Sequence, residues 1–320
     1  MRFRALLFAL ALAPSLASPV QAAKITITQY GRIIATLPWA VALEQGMFKE
    51  AGLDIDGITP GAGGGTSLRN MLAGEIPYAE VSTSVIIAAS LQGMELKAID
   101  SGSNHIGELA WAVKPGAGIN SIKDLVGKKV AFTNPKSTTE QVIMTALKQE
   151  DLTGKVEALP LGGLGPALTA LSQDAVAAAP LNDPAMTLTP DKYKILFYGY
   201  QYYPKFTWQA GVTTKEFADK HADVLRKIVA VHRKAVDFVY SHRDETMRIY
   251  AKVWNVSEDE AKAILPKYYE WEHWSRGEFS KEGLAAVVEG LSLVGELKGS
   301  FDWSKIIDQS FLDEDLRRPL

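Results

Sequence analysis

Short strand-like segments alternate with helical segments in two successive stretches of this 320-residue chain. In the first stretch the strand-like runs occupy residues 24–29, 53–58, 77–81 and 97–100. Helical segments lie between them and begin at Pro38, Leu68 and Ser82. This alternation is typical of a parallel β-sheet with helices packed on its faces. The first stretch therefore predicts one α/β unit.

The alternation resumes in the middle of the chain and then gives way to helices. Predicted strands lie at 108–113, 129–133, 156–161, 175–179 and 193–198. After Glu216 the pattern is helical, with a stripe of residues at helical spacing: Leu225, Ile228, His232, Val236 and Val239. Two α/β units of about 100 residues each suggest two lobes. We expect crossovers near 108–113 and 207–213, and a frayed tail from Leu312 onward.

The first 22 residues have the pattern of a secretory signal peptide. Arg2 and Arg4 precede an apolar run over residues 5–13, and small residues lead up to Ala22. The apolar run is too short to span a membrane. A membrane anchor and an ordinary N-terminal helix are the alternatives. We expect cleavage after Ala22 and a periplasmic mature protein.

The composition excludes several classes of function. Lys and Arg together number 34 against 37 Asp and Glu, so no basic excess supports general nucleic-acid binding. The chain has no cysteine, which excludes disulfides, thiolate metal sites, cysteine nucleophiles and a lipid-modified cysteine. The five histidines lack the spacing of a metal site, and we expect neither a metal nor a cofactor. His232 is predicted to be a core residue, whereas His242 and His273 are expected at the surface.

Candidate ligand-binding residues lie where predicted strands end and helices begin. The carboxyl ends of parallel strands meet at one edge of a sheet, where ligands bind. Three such segments offer backbone N–H groups and hydroxyls to an anion; their candidates are Gly64, Gly65 and Thr66, then Ser82 and Thr83, then Ser137, Thr138 and Thr139. The glycine run could instead be a flexible surface loop. Ser137 with Glu140 also forms an ordinary capping box, which is compatible with ligand contact.

Six further side chains are candidates for contact with a polar or planar ligand: Tyr30, Trp39, Asn104, His105, Asp183 and Trp208. Asp183 could instead form a turn before Pro184. Aromatic residues are concentrated between positions 197 and 208. They either stack on a planar ligand or pack the core of the hinge, and the sequence leaves both readings open.

Three phrases together resemble a known family. They are Pro38–Asp54, Gly64–Gly65 followed by Leu72–Ile76, and Ile119–Val130. These phrases resemble the periplasmic binding proteins of the nitrate, sulfonate, taurine and thiamine-precursor type, which share a fold with fungal pyrimidine synthases. Two departures, at Pro77 and at Ser172–Val176, fall on expected surface turns and leave the resemblance intact.

The resemblance implies a type II periplasmic binding protein fold. Two α/β lobes would be joined by two crossover strands and followed by C-terminal helices. Residues 23–110 would form the first part of lobe 1, residues 111–209 lobe 2, and residues 210–320 the return to lobe 1 with the C-terminal helices.

The resemblance also implies a function without catalysis. The protein would be a monomeric solute-binding protein that captures a sulfonate, an aromatic carboxylate or a pyrimidine by lobe closure. It would then deliver this ligand to the membrane permease of an ABC importer. An exported enzyme on the same fold is one alternative, although the fungal synthases rely on a cysteine-rich motif that this chain lacks. A ligand-sensing module for a membrane receptor is another.

Overall fold

The computed structural model describes residues 23–320, and the predicted signal peptide at 1–22 lies outside the described residues. The strands are β1 (Ala23–Thr28), β2 (Ile55–Gly61), β3 (Tyr78–Ser82), β4 (Leu96–Ser103), β5 (Ala110–Val113), β6 (Lys129–Phe132), β7 (Glu157–Pro160), β8 (Ala179–Leu181), β9 (Lys194–Tyr198) and β10 (Gln209–Thr214). The helices are α1 (Leu37–Glu44), α2 (Met47–Glu50), α3 (Gly64–Ala73), α4 (Thr83–Leu91), α5 (Thr138–Gln149), α6 (Leu164–Ser172), α7 (Ala185–Leu188), α8 (Lys215–Lys220), α9 (Ala222–Ser241), α10 (Arg243–Trp254), α11 (Glu258–Ile264), α12 (Pro266–Glu270) and α13 (Lys281–Leu293). Mixed α/β architecture is therefore confirmed.

The first lobe is built on a five-stranded sheet in the order β2-β1-β3-β10-β4. Strand β1 pairs in parallel with β2 and β3, as the strand–helix alternation predicts. Strand β10 is antiparallel to both β3 and β4. The sheet is mixed because β10 enters it only after the chain has returned from the second lobe.

Helices cover this sheet with the apolar faces that the sequence predicts. Pro38 lies in the first turn of α1, where its missing N–H costs no helical hydrogen bond. The five residues of the predicted stripe on α9 are all buried, and α9 packs against α1. None of the helices within residues 23–320 is both long and apolar enough to cross a membrane.

The second lobe contains two small sheets. Strand β5 lies between β8 and β9 and is antiparallel to both, while β6 and β7 pair in parallel. A bridge from Val130 to Ala178 joins the two sheets. The strand predicted at 175–179 begins later, at Ala179, and Asp174 ahead of it adopts a left-handed turn conformation with φ of 59°.

Two connections join the lobes, at residues 104–109 and 199–208. The strand predicted as the first crossover, 108–113, becomes β5 and lies within the second lobe. Asn104 ties the connections together, because its Oδ1 accepts from the Thr207 hydroxyl at 2.8 Å. Its Nδ2 donates to the backbone oxygen of Glu278 at 2.8 Å.

The C-terminal part of the chain is more firmly packed than the sequence suggests. The expected frayed tail is wrong, since Leu312 and Leu316 are buried. Arg233 also holds the tail through Asp313, at 2.5 Å, and Asp315, at 2.8 Å. Helix α13 packs against α5 of the second lobe as well as against α4 of the first, so it bridges the two lobes.

A buried polar cluster lies in the core of the first lobe. The indole Nε1 of Trp39 donates to the Glu80 carboxylate at 2.8 Å, and the Trp39 ring stacks on the imidazole of His232. The His232 Nδ1 lies 3.2 Å from Asp100, whose carboxylate also accepts from the Tyr78 hydroxyl at 3.1 Å. Trp39 has no exposed surface, so its predicted role as a ligand contact is wrong.

This cluster predicts a large effect from adding one methyl group in β10. A Cβ at Gly211 would lie 1.8 Å from Asp100 Oδ1 and 2.3 Å from the Tyr78 hydroxyl. We expect Gly211→Ala to lower the free energy of unfolding by about 1–3 kcal/mol, the usual cost of overpacking a core. Urea denaturation of both proteins measures this difference.

Gly57→Ala is the matched control, because Gly57 is also in a strand but its added Cβ meets only the flexible end of Lys24, at 3.2 Å. We expect this variant to stay within about 0.5 kcal/mol of wild type. Equal stability of the two alanine variants would contradict the close packing around Gly211.

Candidate functional site

A cleft of about 580 Å³ lies between the two lobes. Its walls are formed where β1, β2 and β3 of the first lobe and β6 and β7 of the second lobe end. This is the edge of the sheets at which the sequence predicts a ligand site. The volume lies within the range of about 300–1,000 Å³ that is typical of small-molecule sites.

The first residues of four helices line this cleft. Helix α3 begins after Gly63, α4 after Ser82, α5 after Ser137 and α6 after Gly163. The first N–H groups of a helix lack partners within that helix, and the helix dipole places partial positive charge there. Two of these helices come from each lobe, so the cleft offers backbone donors to an anion from both sides.

Few full charges accompany these dipoles. Arg69 of α3 reaches the cleft wall, and its only polar side-chain contact within residues 23–320 is with the Thr66 hydroxyl, at 3.2 Å. Lys136 is neutralised by Glu296, whose carboxylate lies 2.8 Å from Nζ. Binding of an anion would therefore depend largely on neutral donors.

Apolar side chains form the remaining wall. They come mainly from α3 and α4, with contributions from the hinge and α13: Leu68, Leu72, Val85, Ala88, Met94, Trp208 and Leu291. Leu72 is half exposed, so its apolar side chain is accessible from the cleft. The cleft can therefore hold an apolar group next to an anionic one.

Seven of the predicted site residues line the cleft: Gly64, Gly65, Ser82, Ser137, Thr138, Thr139 and Trp208. On α5, the Ser137 hydroxyl caps the helix by accepting from the Glu140 N–H at 3.3 Å. The Thr139 hydroxyl accepts from the Thr133 N–H at 2.9 Å. The Thr138 hydroxyl makes no hydrogen bond within the described residues, so it is the hydroxyl of this turn that remains available for a ligand.

The other seven lie outside the cleft lining: Tyr30, Trp39, Thr66, Thr83, Asn104, His105 and Asp183. Tyr30 packs against the first core, and Thr83 is buried behind the start of α4. Asn104 is occupied by the hinge bonds described above. The predicted ligand contacts of these residues are not supported by their positions.

His105 and Asp183 have structural partners that explain why they do not line the cleft. His105 stacks between Tyr200 and Trp271, with both ring centroids at 5.4 Å. Burial lowers the pKa of His105 to about 3. Asp183 is buried and connects the lobes by accepting from the Tyr268 hydroxyl at 2.6 Å and pairing with Lys267 at 2.7 Å.

The aromatic residues of the second connection mostly pack the hinge. Phe197 stacks on Trp111, and Tyr203 packs against Phe206. Tyr198 and Tyr200 stack on each other near Trp271. Only Trp208 among the aromatics of 197–208 lines the cleft, so hinge packing accounts for the cluster.

Sequence reasoning missed several residues that line the cleft, notably Glu108, Asn182 and Gln209. Glu108 is fully buried, and its carboxyl accepts from the N–H groups of Ile34 at 2.7 Å and Ala35 at 3.1 Å. Asn182 and Gln209 are the direct neighbours of the predicted Asp183 and Trp208. The prediction therefore missed each of these two residues by a single position.

Glu108 lies in an environment that disfavours its charge. Burial raises the pKa of Glu108 from 4.5 to about 8 despite the two backbone N–H donors. Nearby His273 is fully buried, which corrects its predicted surface position, and burial lowers its pKa to about 3. The Glu108–His273 contact, at 3.6 Å, is therefore between two neutral groups at neutral pH.

The raised pKa of Glu108 predicts how stability depends on pH. The folded protein binds this proton more tightly than the unfolded chain, so the stabilisation is complete below about pH 4.5 and is lost as the pH rises towards 8. Replacing Glu108→Gln removes this titration. We expect the stability of wild type relative to the variant to fall between pH 5 and 8, by up to about 1.4 kcal/mol per pH unit.

Urea denaturation at several pH values measures this difference. Glu75→Gln, at an exposed position, is the control and is expected to run parallel to wild type. Parallel profiles for wild type and Glu108→Gln would show that Glu108 does not titrate in this range.

Comparison with known proteins identifies the family of the chain. The family described as NMT1/THI5 like matches residues 34–246. A putative aliphatic sulfonates-binding protein of Bacillus subtilis (strain 168) is 26% identical over 237 residues, which cover 71% of this chain and 70% of that protein.

Solved structures share the fold. The periplasmic aliphatic sulphonate binding protein SsuA from Escherichia coli is 18% identical, with a TM-score of 0.71 over 85% of this chain and 86% of that one. The periplasmic nitrate-binding protein NrtA from Synechocystis PCC 6803 is 12% identical, with a TM-score of 0.68 over 90% and 86%. The fold is thus that of the periplasmic binding proteins, and the chain belongs to the NMT1/THI5-like family.

Proposed function

We propose that this protein is the extracytoplasmic solute-binding component of an ABC importer and that it captures a small organic anion. The observation that carries the proposal is the convergence of four helix starts from two lobes on one cleft. The name of the Bacillus subtilis relative supports a sulfonate as the first ligand to test. Aromatic carboxylates and pyrimidines remain the other candidates.

The balance of charge in the cleft favours a singly charged, weakly hydrated anion. Arg69 is the cation in the lining that has no acidic partner within residues 23–320, since Lys136 is paired with Glu296. Buried Glu108 would oppose additional negative charge whenever it ionises. Backbone N–H groups and hydroxyls can replace the hydration of a sulfonate or carboxylate at lower desolvation cost than that of a phosphate dianion.

The apolar wall supports an organic ligand over a bare inorganic ion. Leu68, Leu72 and Val85 could bury an alkyl or aryl group. Burial of apolar surface is worth about 25 cal/mol per Å², so such a group would add substantially to affinity. The ligand would then have its acidic group at the helix starts and its apolar group against α3 and α4.

An enzyme on this fold has less support. The related synthases use cysteine chemistry, and this sequence contains no cysteine. A ligand-sensing module would need the same cleft as an importer component, so the two differ only in their membrane partner. We propose a monomer that works in the periplasm and docks transiently on a permease. Uptake of the ligand into membrane vesicles that carry this permease distinguishes an importer component from a sensor.

A thermal-shift screen tests the proposed ligand class. The panel should contain alkane- and arenesulfonates, benzoates and pyrimidines. A ligand at 100 times its Kd should stabilise the protein by about 2.7 kcal/mol. Stabilisation by pyrimidines alone would contradict the organic-anion proposal, and stabilisation by no class would contradict all three.

The free hydroxyl on α5 gives a specific prediction. Thr138→Val keeps the shape of the side chain but removes the hydroxyl that faces the cleft. We expect it to weaken binding of the best sulfonate or carboxylate by about 1–3 kcal/mol, with little change in stability. Thr169→Val, at an exposed position later in α6, is the control. Calorimetric titration with unchanged affinity for Thr138→Val would remove this hydroxyl from the site.

The two connections predict that the lobes close on the ligand. Residues 104–109 and 199–208 are short enough to act as hinges, and donors on both sides of the cleft would meet one bound anion. We expect a smaller radius of gyration by small-angle scattering at saturating ligand. Identical scattering profiles with and without ligand would contradict closure.

A further inference from the structure

Gln209 is a buried side chain whose amide has no hydrogen-bond partner within the described residues 23–320. Only 3% of the residue is exposed, and it lines the cleft at the first position of β10. Its Oε1 is buried without a hydrogen bond. Its Nε2 also makes no hydrogen bond within residues 23–320. The Ser101 hydroxyl contacts the backbone oxygen of Gln209 and not its side chain. With the amide in this orientation, no protein group within residues 23–320 completes either end of it, and its Nε2 is the end that can donate to a ligand.

Ser82 places a second donor, which has no partner among the described residues, beside this amide. Gln209 and Ser82 are directly opposite each other in the antiparallel pair of β10 and β3. Side chains of opposed residues lie on the same face of a sheet, with Cβ atoms about 4.5–5.5 Å apart. The Ser82 side chain makes no capping hydrogen bond to α4, and Ser82 also lines the cleft.

An anion at the start of α4 could not use the first N–H group of that helix. The Thr83 N–H, which elsewhere would be available to an anion, already donates to the Trp208 backbone oxygen at 3.0 Å. The Thr83 hydroxyl is buried without a partner and does not line the cleft. Any anion held at this helix start therefore has to use Ser82, Gln209 and the N–H groups further into the first turn.

A buried amide that lacks hydrogen bonds destabilises the folded protein, because its desolvation is not repaid. Such a group is typical of a ligand-binding position, because residues at binding sites are often kept for function although they lower stability. Gln209 is in a strand that pairs on both sides, so its backbone position is fixed and its amide is held at the cleft wall.

We propose that Gln209, together with Ser82, binds the anionic oxygens of the ligand and so fixes the acidic group against the first lobe. This inference rests on the proposed function, because it assumes that the cleft takes an organic anion. The recognised group is a singly charged oxyanion, either a sulfonate or a carboxylate. The amide nitrogen and the serine hydroxyl donate to two of its oxygens, and the start of α4 adds its dipole.

Two substitutions test this role by calorimetric titration with butane-1-sulfonate, benzenesulfonate and benzoate. Gln209→Leu removes both ends of the amide at similar volume, and we expect it to weaken the bound probes by at least about tenfold. Gln209→Glu places a carboxylate against the anion, and we expect a loss of at least about a hundredfold. Gln173→Leu and Gln173→Glu, at an exposed position after α6, are the matched controls and should bind as wild type does.

Thermal unfolding without ligand separates a binding role from a structural one. If the amide is held for a ligand, Gln209→Leu should leave Tm unchanged or raise it, because an unpaired polar group is removed from a buried site. A lower Tm together with unchanged affinity would show that Gln209 is structural and would overturn the inference. Wild-type affinity in both Gln209 variants would overturn it as well.

The wild-type titrations keep this inference distinct from the proposed function. If wild type binds at least one probe and the Gln209 variants bind it equally well, the organic-anion function stands and the role of Gln209 fails. If wild type binds none of the three probes, the organic-anion proposal fails and the role of Gln209 fails with it.

Discussion

The insertion of β10 between β3 and β4 is the constraint on which the rest of the structure depends. The chain leaves the first sheet after β4, forms the second lobe and then returns to a position between β3 and β4, which come much earlier in the sequence. The hydrogen bonds of β10 on both sides fix the length and direction of both connections. They also bring Trp208 and Gln209 to the cleft edge. The cleft is therefore completed only when this long-range pairing has formed.

The approach of β10 to its neighbours requires a glycine at one position. At Gly211 the strand passes over the Tyr78 hydroxyl and the Asp100 carboxylate, where a Cβ has no space. The same carboxylate pairs with His232 from α9, so the strand, the sheet and the longest helix meet at one polar cluster. Its ionisable groups are buried, which makes their partners essential to the first lobe.

The sequence predicted well those features that depend on local pattern. The capping box at Ser137, the stripe on α9 and most strand positions follow from residue spacing over a few turns. The same reasoning identified three of the four helix starts that surround the cleft, although α3 begins at Gly64 and not at the predicted Leu68. Backbone N–H groups at a helix start need no particular side chain, so their position could be inferred without knowledge of the packing.

Features that depend on distant partners could not be predicted in this way. Nothing near Trp39 in the sequence indicates Glu80 or His232, which hold it in the core. Asp183 was assigned to the ligand site because it follows a strand, yet Lys267 and Tyr268 from the far end of the chain neutralise and cover it. The antiparallel direction of β10 likewise depends on its pairing with β3 and β4, which lie far away in the sequence.

The packing of α13 has a mechanical consequence. Gly290 lets α13 approach α5 so closely that a Cβ there would lie 2.6 Å from Gln141 Oε1. The Gln141 Nε2 in turn donates to the Ser84 hydroxyl of α4 in the first lobe, at 2.9 Å. Gln141 thus packs against α13 with one end of its amide and hydrogen-bonds α4 with the other, so it couples the two lobes at a buried position. A relative movement of the two lobes would have to break this hydrogen bond, at a net cost of about 0.5–1.5 kcal/mol.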